Sequence, residues 1–169
     1  METRKLTELA MLTALALIIF TVELMIPGLS PIPGMKLGLA NIITVYAVYR
    51  YRAGETVMIV IARILLGSIF SGRLTALAYS LAGGLFCLAG MLVLKHFISE
   101  KYIWVCSVLG AILHNLGQVS MAVLITGSPA PAAYFPLLTV TGCAAGLFTG
   151  LCARMMTYRK DLIKVNKFI

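Results

Sequence analysis

The side chains able to bind or transfer anything are few in this chain, and Arg63 stands out among them. It lies within Val57-Met58-Ile59-Val60-Ile61-Ala62-Arg63-Ile64-Leu65-Leu66-Gly67, where a membrane-crossing helix should be most apolar. A guanidinium at such a place costs at least ~2.5–3.5 kcal/mol on insertion scales. A charge tolerated at that cost faces a protein interior, a water-filled cavity or a ligand. His114 and Gln118 form an i, i+4 pair on one helix face, with Asn115 beside Gln118 at i+3. Asn41 falls two turns below the outer end of its segment, and Glu23 falls one turn from the outer end of the first. Lys36 and Arg73 sit at outer turns.

All of these residues lie at mid-membrane or toward the outer side, so together they could line one cavity that opens outward. Lys36, Arg63 and Arg73 then oppose a single Glu23. Such an excess of positive charge suits an anionic group, a carboxylate or a phosphate. The competing structural reading pairs Glu23 with Lys36 or Arg63 and makes the amides of the fifth segment bridges between helices. In that reading Lys36 and Arg73 are interfacial anchors.

The absences narrow the chemistry. There is no GxxxxGK[ST], HExxH or GxSxG sequence and no paired intramembrane carboxylates. Asp161 is the only aspartate, which excludes an aspartate-rich Mg²⁺–diphosphate motif. Cys87, Cys106, Cys143 and Cys152 are scattered through apolar runs without CxxC or Cys/His pairing. No catalytic residue, metal or cofactor is expected, and an enzymatic role is hard to build.

The elements that must position these groups are apolar. The 169 residues are 60% hydrophobic and 12% charged, with a mean hydropathy of +0.98. A soluble domain is about 25% charged, so the composition predicts a single integral membrane domain over 1–169. Hydrophobic segments fall at about 7–26, 37–50, 55–71, 74–95, 103–126 and 132–156, which predicts an all-α bundle of about six transmembrane helices. A bilayer core of ~30 Å needs about 20 helical residues, so 37–50 and 55–71 must be short, tilted or sheltered. The first run follows Arg4 and Lys5 as a signal peptide would, but it is long enough to span and no small-x-small site follows.

The net charge of +8 comes from residues flanking the apolar runs rather than from a nucleic-acid motif, so no nucleic-acid partner is expected. Arg4, Lys5, Arg50, Arg52, Lys95, Lys101, Arg154, Arg159, Lys160, Lys164 and Lys167 gather on one side, against Lys36 and Arg73 on the other. The positive-inside rule makes both termini cytoplasmic. The basic tail 157–169 is expected against the inner leaflet or in solvent. The outward connection 27–36 holds three prolines and two glycines among Leu29, Ile32 and Met35, either a lid over the bundle or a turn dipping into the interface. Two small-residue patterns promise close helix approach. One is Ala10 and Ala14; the other is the stripe Gly142, Gly146 and Gly150, which could pack within the bundle or join copies of it.

Pro33-Gly34-Met35-Lys36-Leu37-Gly38-Leu39-Ala40-Asn41-Ile42 and His114-Asn115-Leu116-Gly117-Gln118 resemble the bacterial Gx transporter family, commonly labelled heptaprenyl diphosphate synthase component I. The six short helices, the Ala10/Ala14 pair and the apolar first outer loop also resemble S components of energy-coupling factor (ECF) transporters. The resemblance spans roughly residues 5–156. It implies a transport subunit of the bacterial plasma membrane that captures a small-molecule ligand from outside and topples when docked on a transmembrane coupling protein with paired ATPase subunits. Ala10 and Ala14 would meet the coupling protein, and 27–36 would gate the ligand. The vitamin-specific side chains of S components do not map onto this chain. The family label implies the alternative, a non-catalytic membrane partner of heptaprenyl or polyprenyl diphosphate synthesis.

Overall fold

The apolar runs become helices because an α-helix satisfies its backbone hydrogen bonds within one segment inside lipid, and runs without alternating polarity do not suit the closed barrel that is the other solution. The computed structural model describes residues 3–25, 38–72 and 74–165, with 74–76 and 160–165 by backbone alone. The helices are α1 (Thr3–Met25), α2 (Asn41–Arg50), α3 (Ala53–Ser71), α4 (Leu74–Leu94), α5 (Ile103–Thr126) and α6 (Phe135–Val165). Single 3₁₀ turns, Glu100–Tyr102 and Ala130–Tyr134, precede α5 and α6. Among the described residues there is no strand, and five helices are long and apolar enough to cross a membrane.

The exception is α2, expected over 37–50 and observed only from Asn41. Gly38, at φ 81°, places the chain in a left-handed turn before the helix begins. Ten residues span only about 15 Å, half a bilayer core. The segment nevertheless travels most of the bundle's height. Its lead-in is bound by Glu23 near the end of α1, and the Tyr51 hydroxyl just beyond α2 donates to Glu8 Oε2 near its start at 3.1 Å. Those two acids are separated by about 22 Å of helix at 1.5 Å per residue. Ile43 through Val48 are all buried, so α2 crosses inside a sleeve of other helices rather than against lipid.

The basic end is stitched by polar contacts. Lys5 pairs with Glu55. Arg50 Nη2 donates to the Thr157 carbonyl at 3.0 Å and lies 3.4 Å from Glu100. Lys95 Nζ donates to the Val48 carbonyl, and the Tyr49 hydroxyl donates to that of Ile98. The beginnings of α1 and α3, the end of α2, the α4–α5 connection and Thr157 of α6 therefore share one end of the bundle. The sixth helix corrects a second expectation, for 157–165 continues α6 instead of leaving it as a tail. Nothing after Gly150 breaks a helix, and lysine and arginine suit a helix C-terminus.

Helix α5 is the wall on which the rest is built. On its α4 side, a Cβ at Gly117 would lie 2.6 Å from the Ala82 carbonyl oxygen, so the two backbones nearly touch. On its α6 side, a Cβ at Gly146 would lie 2.8 Å from Val108 Cα, and one at Gly150 would lie 2.6 Å from Trp104 Cα. Gly142 meets Asn115. The glycine stripe is thus consumed within the chain, which overturns its reading as a contact between copies. Ile18, Phe70, Leu124 and Val140 face outward from the bundle, as lipid contact requires.

Candidate functional site

Residues from α1, α3, α4 and α5 meet in one polar cleft. It is lined by Phe20 and Glu23, by Gly38 from the lead-in to α2, by Arg63 and Ile64, by Ser80, and by His114 and Gln118. The remaining void is about 10 Å³, room for roughly one water. The lining side chains nearly fill the cleft.

Glycines make the convergence possible. Gly83 and Gly84 open a window in α4, since a Cβ on Gly83 would lie 2.9 Å from both Gln118 Cγ and His114 Cε1. A Cβ on Gly84 would meet Ile64 Cδ1 at 2.8 Å and Arg63 Nη2 at 3.9 Å. Helices α3 and α5 therefore bring their polar groups together across the same two residues. Gly67, one turn beyond Arg63, admits the Phe20 ring.

Arg63 is 5% exposed. Among the described residues its guanidinium has no ion pair, and its buried Nε has no hydrogen-bond partner. Glu23 is the carboxylate whose charge bears on it. An unmatched guanidinium in a nearly dry site is costly, so an anion of suitable size would be strongly favoured there.

Glu23 faces the same cleft, yet its carboxylate is engaged elsewhere. Gly38 N–H donates to Oε1 at 2.7 Å and Leu39 N–H donates to Oε2 at 3.0 Å. A Glu23–Arg63 salt bridge, one form of the competing structural reading, is absent among the described residues. The Gln118 amide nitrogen donates to His114 Nε2 at 3.0 Å. That arrangement leaves Gln118 Oε1 buried without a partner. Asn41 stands behind Gly38, where its Nδ2 would lie 2.7 Å from a Cβ at that glycine.

Asn115 does not join the cleft. Its side-chain amide turns toward α6 and donates to the Leu138 carbonyl beside Gly142. The reason is geometric, since one residue rotates the helix by about 100°. Asn115 therefore holds α5 to α6, as Ser107 and Thr149 do one face-length away at 2.9 Å. Lys36, Arg73 and the loop 27–36 lie outside the described residues. Ala10 and Ala14 are exposed on a separate apolar groove of about 340 Å³, floored also by Thr13 of α1 and by Met58 and Ala62 of α3.

Phe20, Gly38, Ile64 and Ser80 line the cleft without having been singled out from the sequence. The Gly83-Gly84 pair within an apolar helix was the available signal for this crossing point. Phe20, Ile64 and Ser80 carry no signal in one sequence. Among the described residues no group of three His, Cys, Asp or Glu side chains converges to hold a metal.

Residues 12–156 match a family model described as heptaprenyl diphosphate synthase component I. No curated protein and no solved structure matches the chain.

Proposed function

The chain belongs to the family described as heptaprenyl diphosphate synthase component I, and from the cleft around Arg63 we propose that it is a substrate-binding membrane subunit resembling the S component of an ECF-type transporter. It captures a small anionic ligand from the outer side of the bacterial plasma membrane, with both termini in the cytoplasm. The observation that carries this reading is Arg63, 5% exposed and without an ion pair among the described residues, in a cleft shared with Gln118, His114 and Ser80. Arg63 takes the ligand's anionic group. Gln118 Oε1 takes an N–H or O–H of the same ligand, because a buried acceptor without a donor costs about 1–3 kcal/mol. The closed void must widen for this. The exposed groove beside Ala10 and Ala14 is the surface on which a coupling protein, with its ATPase subunits, would dock.

Native mass spectrometry of the gently solubilised protein tests the binding role. A retained small molecule is expected on the wild type and none on Arg63→Met. Equal retention by a folded Arg63→Met variant overturns the assignment. Ala14→Trp should keep the ligand and lose co-purification with a coupling protein and ATPases.

The family description favours a second reading, a non-catalytic membrane partner of heptaprenyl diphosphate synthesis. Asp161 remains the only aspartate, so prenyl transfer would belong to another subunit. Recovery of a soluble prenyl synthase with the protein, in place of ATPases, selects this alternative.

A further inference from the structure

The place occupied by the Glu23 carboxylate is built for an anion. Its two oxygens accept from two successive backbone amides, those of Gly38 and Leu39. The carbonyls of the same two residues accept from Asn41 and Ile42, which start α2. The amides therefore belong to the amino end of a ten-residue helix, where free N–H groups and the helix dipole favour negative charge. Glu23 reaches them from a different helix, so its grip is not imposed by the local chain.

A second observation points to a ligand at this place. Gly38 and Glu23 line the same cleft as Arg63, whose Nε is buried and has no hydrogen-bond partner. Gln118 Oε1, on a residue 1% exposed, lines it as well and has no partner either. Glu23 is the only carboxylate on the cleft wall among the described residues. It meets the two amides, and its charge reaches Arg63 without forming a salt bridge.

We propose that the amides of Gly38 and Leu39, together with Arg63, form a carboxylate cradle in which Glu23 is the resident stand-in, and that a ligand carboxylate replaces it. This rests on the reading of the Arg63 cleft as a ligand site and adds to it the group that is displaced. An incoming carboxylate duplicates the two-oxygen grip on the amides and takes over from Glu23 as the negative charge that Arg63 faces. Release of Glu23 frees Gly38, which packs over His114 and closes the cleft: a Cβ there would lie 3.2 Å from His114 Nε2. Entry of the ligand and opening of the site are then one event. The resident carboxylate also sets a threshold, because a neutral ligand cannot take its place.

The test is chemical rescue. Glu23→Ala removes the equivalent of one acetate, and the probe is acetate itself, titrated at pH 7 against chloride of equal ionic strength. Thermal unfolding of the detergent-solubilised protein is the readout. Glu23→Ala should melt at least about 6 °C below the wild type, from the loss of the charge-assisted bonds to Gly38 and Leu39 at the usual scale for this chain length. Acetate should restore most of that loss saturably, leave the wild type unmoved, and act less well on the double variant with Arg63→Met. Acetamide should do nothing. Absence of saturable rescue overturns the cradle, and rescue by phosphate but not by acetate overturns the carboxylate assignment. If Glu23→Ala does not fold, Glu23→Gln replaces it, with binding of ¹³C-acetate followed by NMR. Tighter binding than to the wild type, by about tenfold, supports the exchange; equal or weaker binding overturns it. Loss of the native ligand on Arg63→Met combined with failed acetate rescue would leave the binding reading standing and remove only the exchange.

Discussion

Gln118 donates its amide to His114 Nε2 at 3.0 Å, one turn back on the same helix, while Asn115 between them bonds to a different helix. Three neighbouring polar residues on α5 thus divide into two duties. His114 and Gln118 face the cleft, and Asn115 faces α6.

That division predicts opposite outcomes for substitutions three residues apart. Gln118→Leu should lower ligand retention at least tenfold, measured by native mass spectrometry, with little change in melting temperature. Asn115→Ala should cost about 1 kcal/mol of stability, the usual range for interhelical bonds in membranes, and leave retention intact. A loss of ligand on Asn115→Ala with unchanged stability would contradict the geometry.

Arg63→Met exchanges an unmatched buried charge for an apolar side chain of similar length. Replacing even a paired buried charge group by well-packed apolar side chains is often neutral or stabilising, and a charge without an ion pair has less to lose. The ligand-free variant should therefore melt higher than the wild type, by a few degrees. Lower stability would mean that Arg63 holds the fold together.

The glycine contacts make a sharper forecast about assembly. Gly146→Val should destabilise the fold by more than about 2 kcal/mol, because its Cβ would press on the Val108 backbone. Light scattering should show no change of oligomeric state in whatever fraction folds. Gly117→Ala should be similarly costly, since the obstacle is the Ala82 carbonyl rather than a side chain that can turn away.

At the basic end, Lys5 and Glu55 join α1 to α3, with side chains 39% and 14% exposed. A double-mutant cycle with Lys5→Ala and Glu55→Ala should return a small favourable coupling that falls as salt is added.

The particular residues explain what could be read in advance. Arg63, Glu23, His114 and Gln118 were visible because each is a polar group in an apolar run, and the structure does gather them. Asn115 misled because type and depth say nothing about azimuth. Two considerations competed for it: shared depth with Gln118, and a rotation of about 100° from His114. The rotation decides. The start of α2 was set too early because hydropathy ignores φ, and Gly38 ends one conformation before Asn41 begins another. The end of α6 was set too early for the converse reason, since basic side chains fix depth in a membrane without stopping a helix. Ile64 reaches the cleft against Gly84, and His114 and Gln118 reach it against Gly83, a relationship between three helices that no local pattern encodes.

The short α2 has a consequence for biogenesis. It emerges from the ribosome before the C-terminal helices, and Arg50 at its end finds the Thr157 carbonyl only when α6 arrives. Ten residues carrying Asn41, Thr44 and two tyrosines offer a translocon little to release into lipid. The segment is therefore expected to reach its buried place only after the helices that cover it have been made. With Cys87, Cys106, Cys143 and Cys152 replaced by alanine, Val45→Cys should react with maleimide in chains truncated after residue 126 and be shielded in the full-length protein.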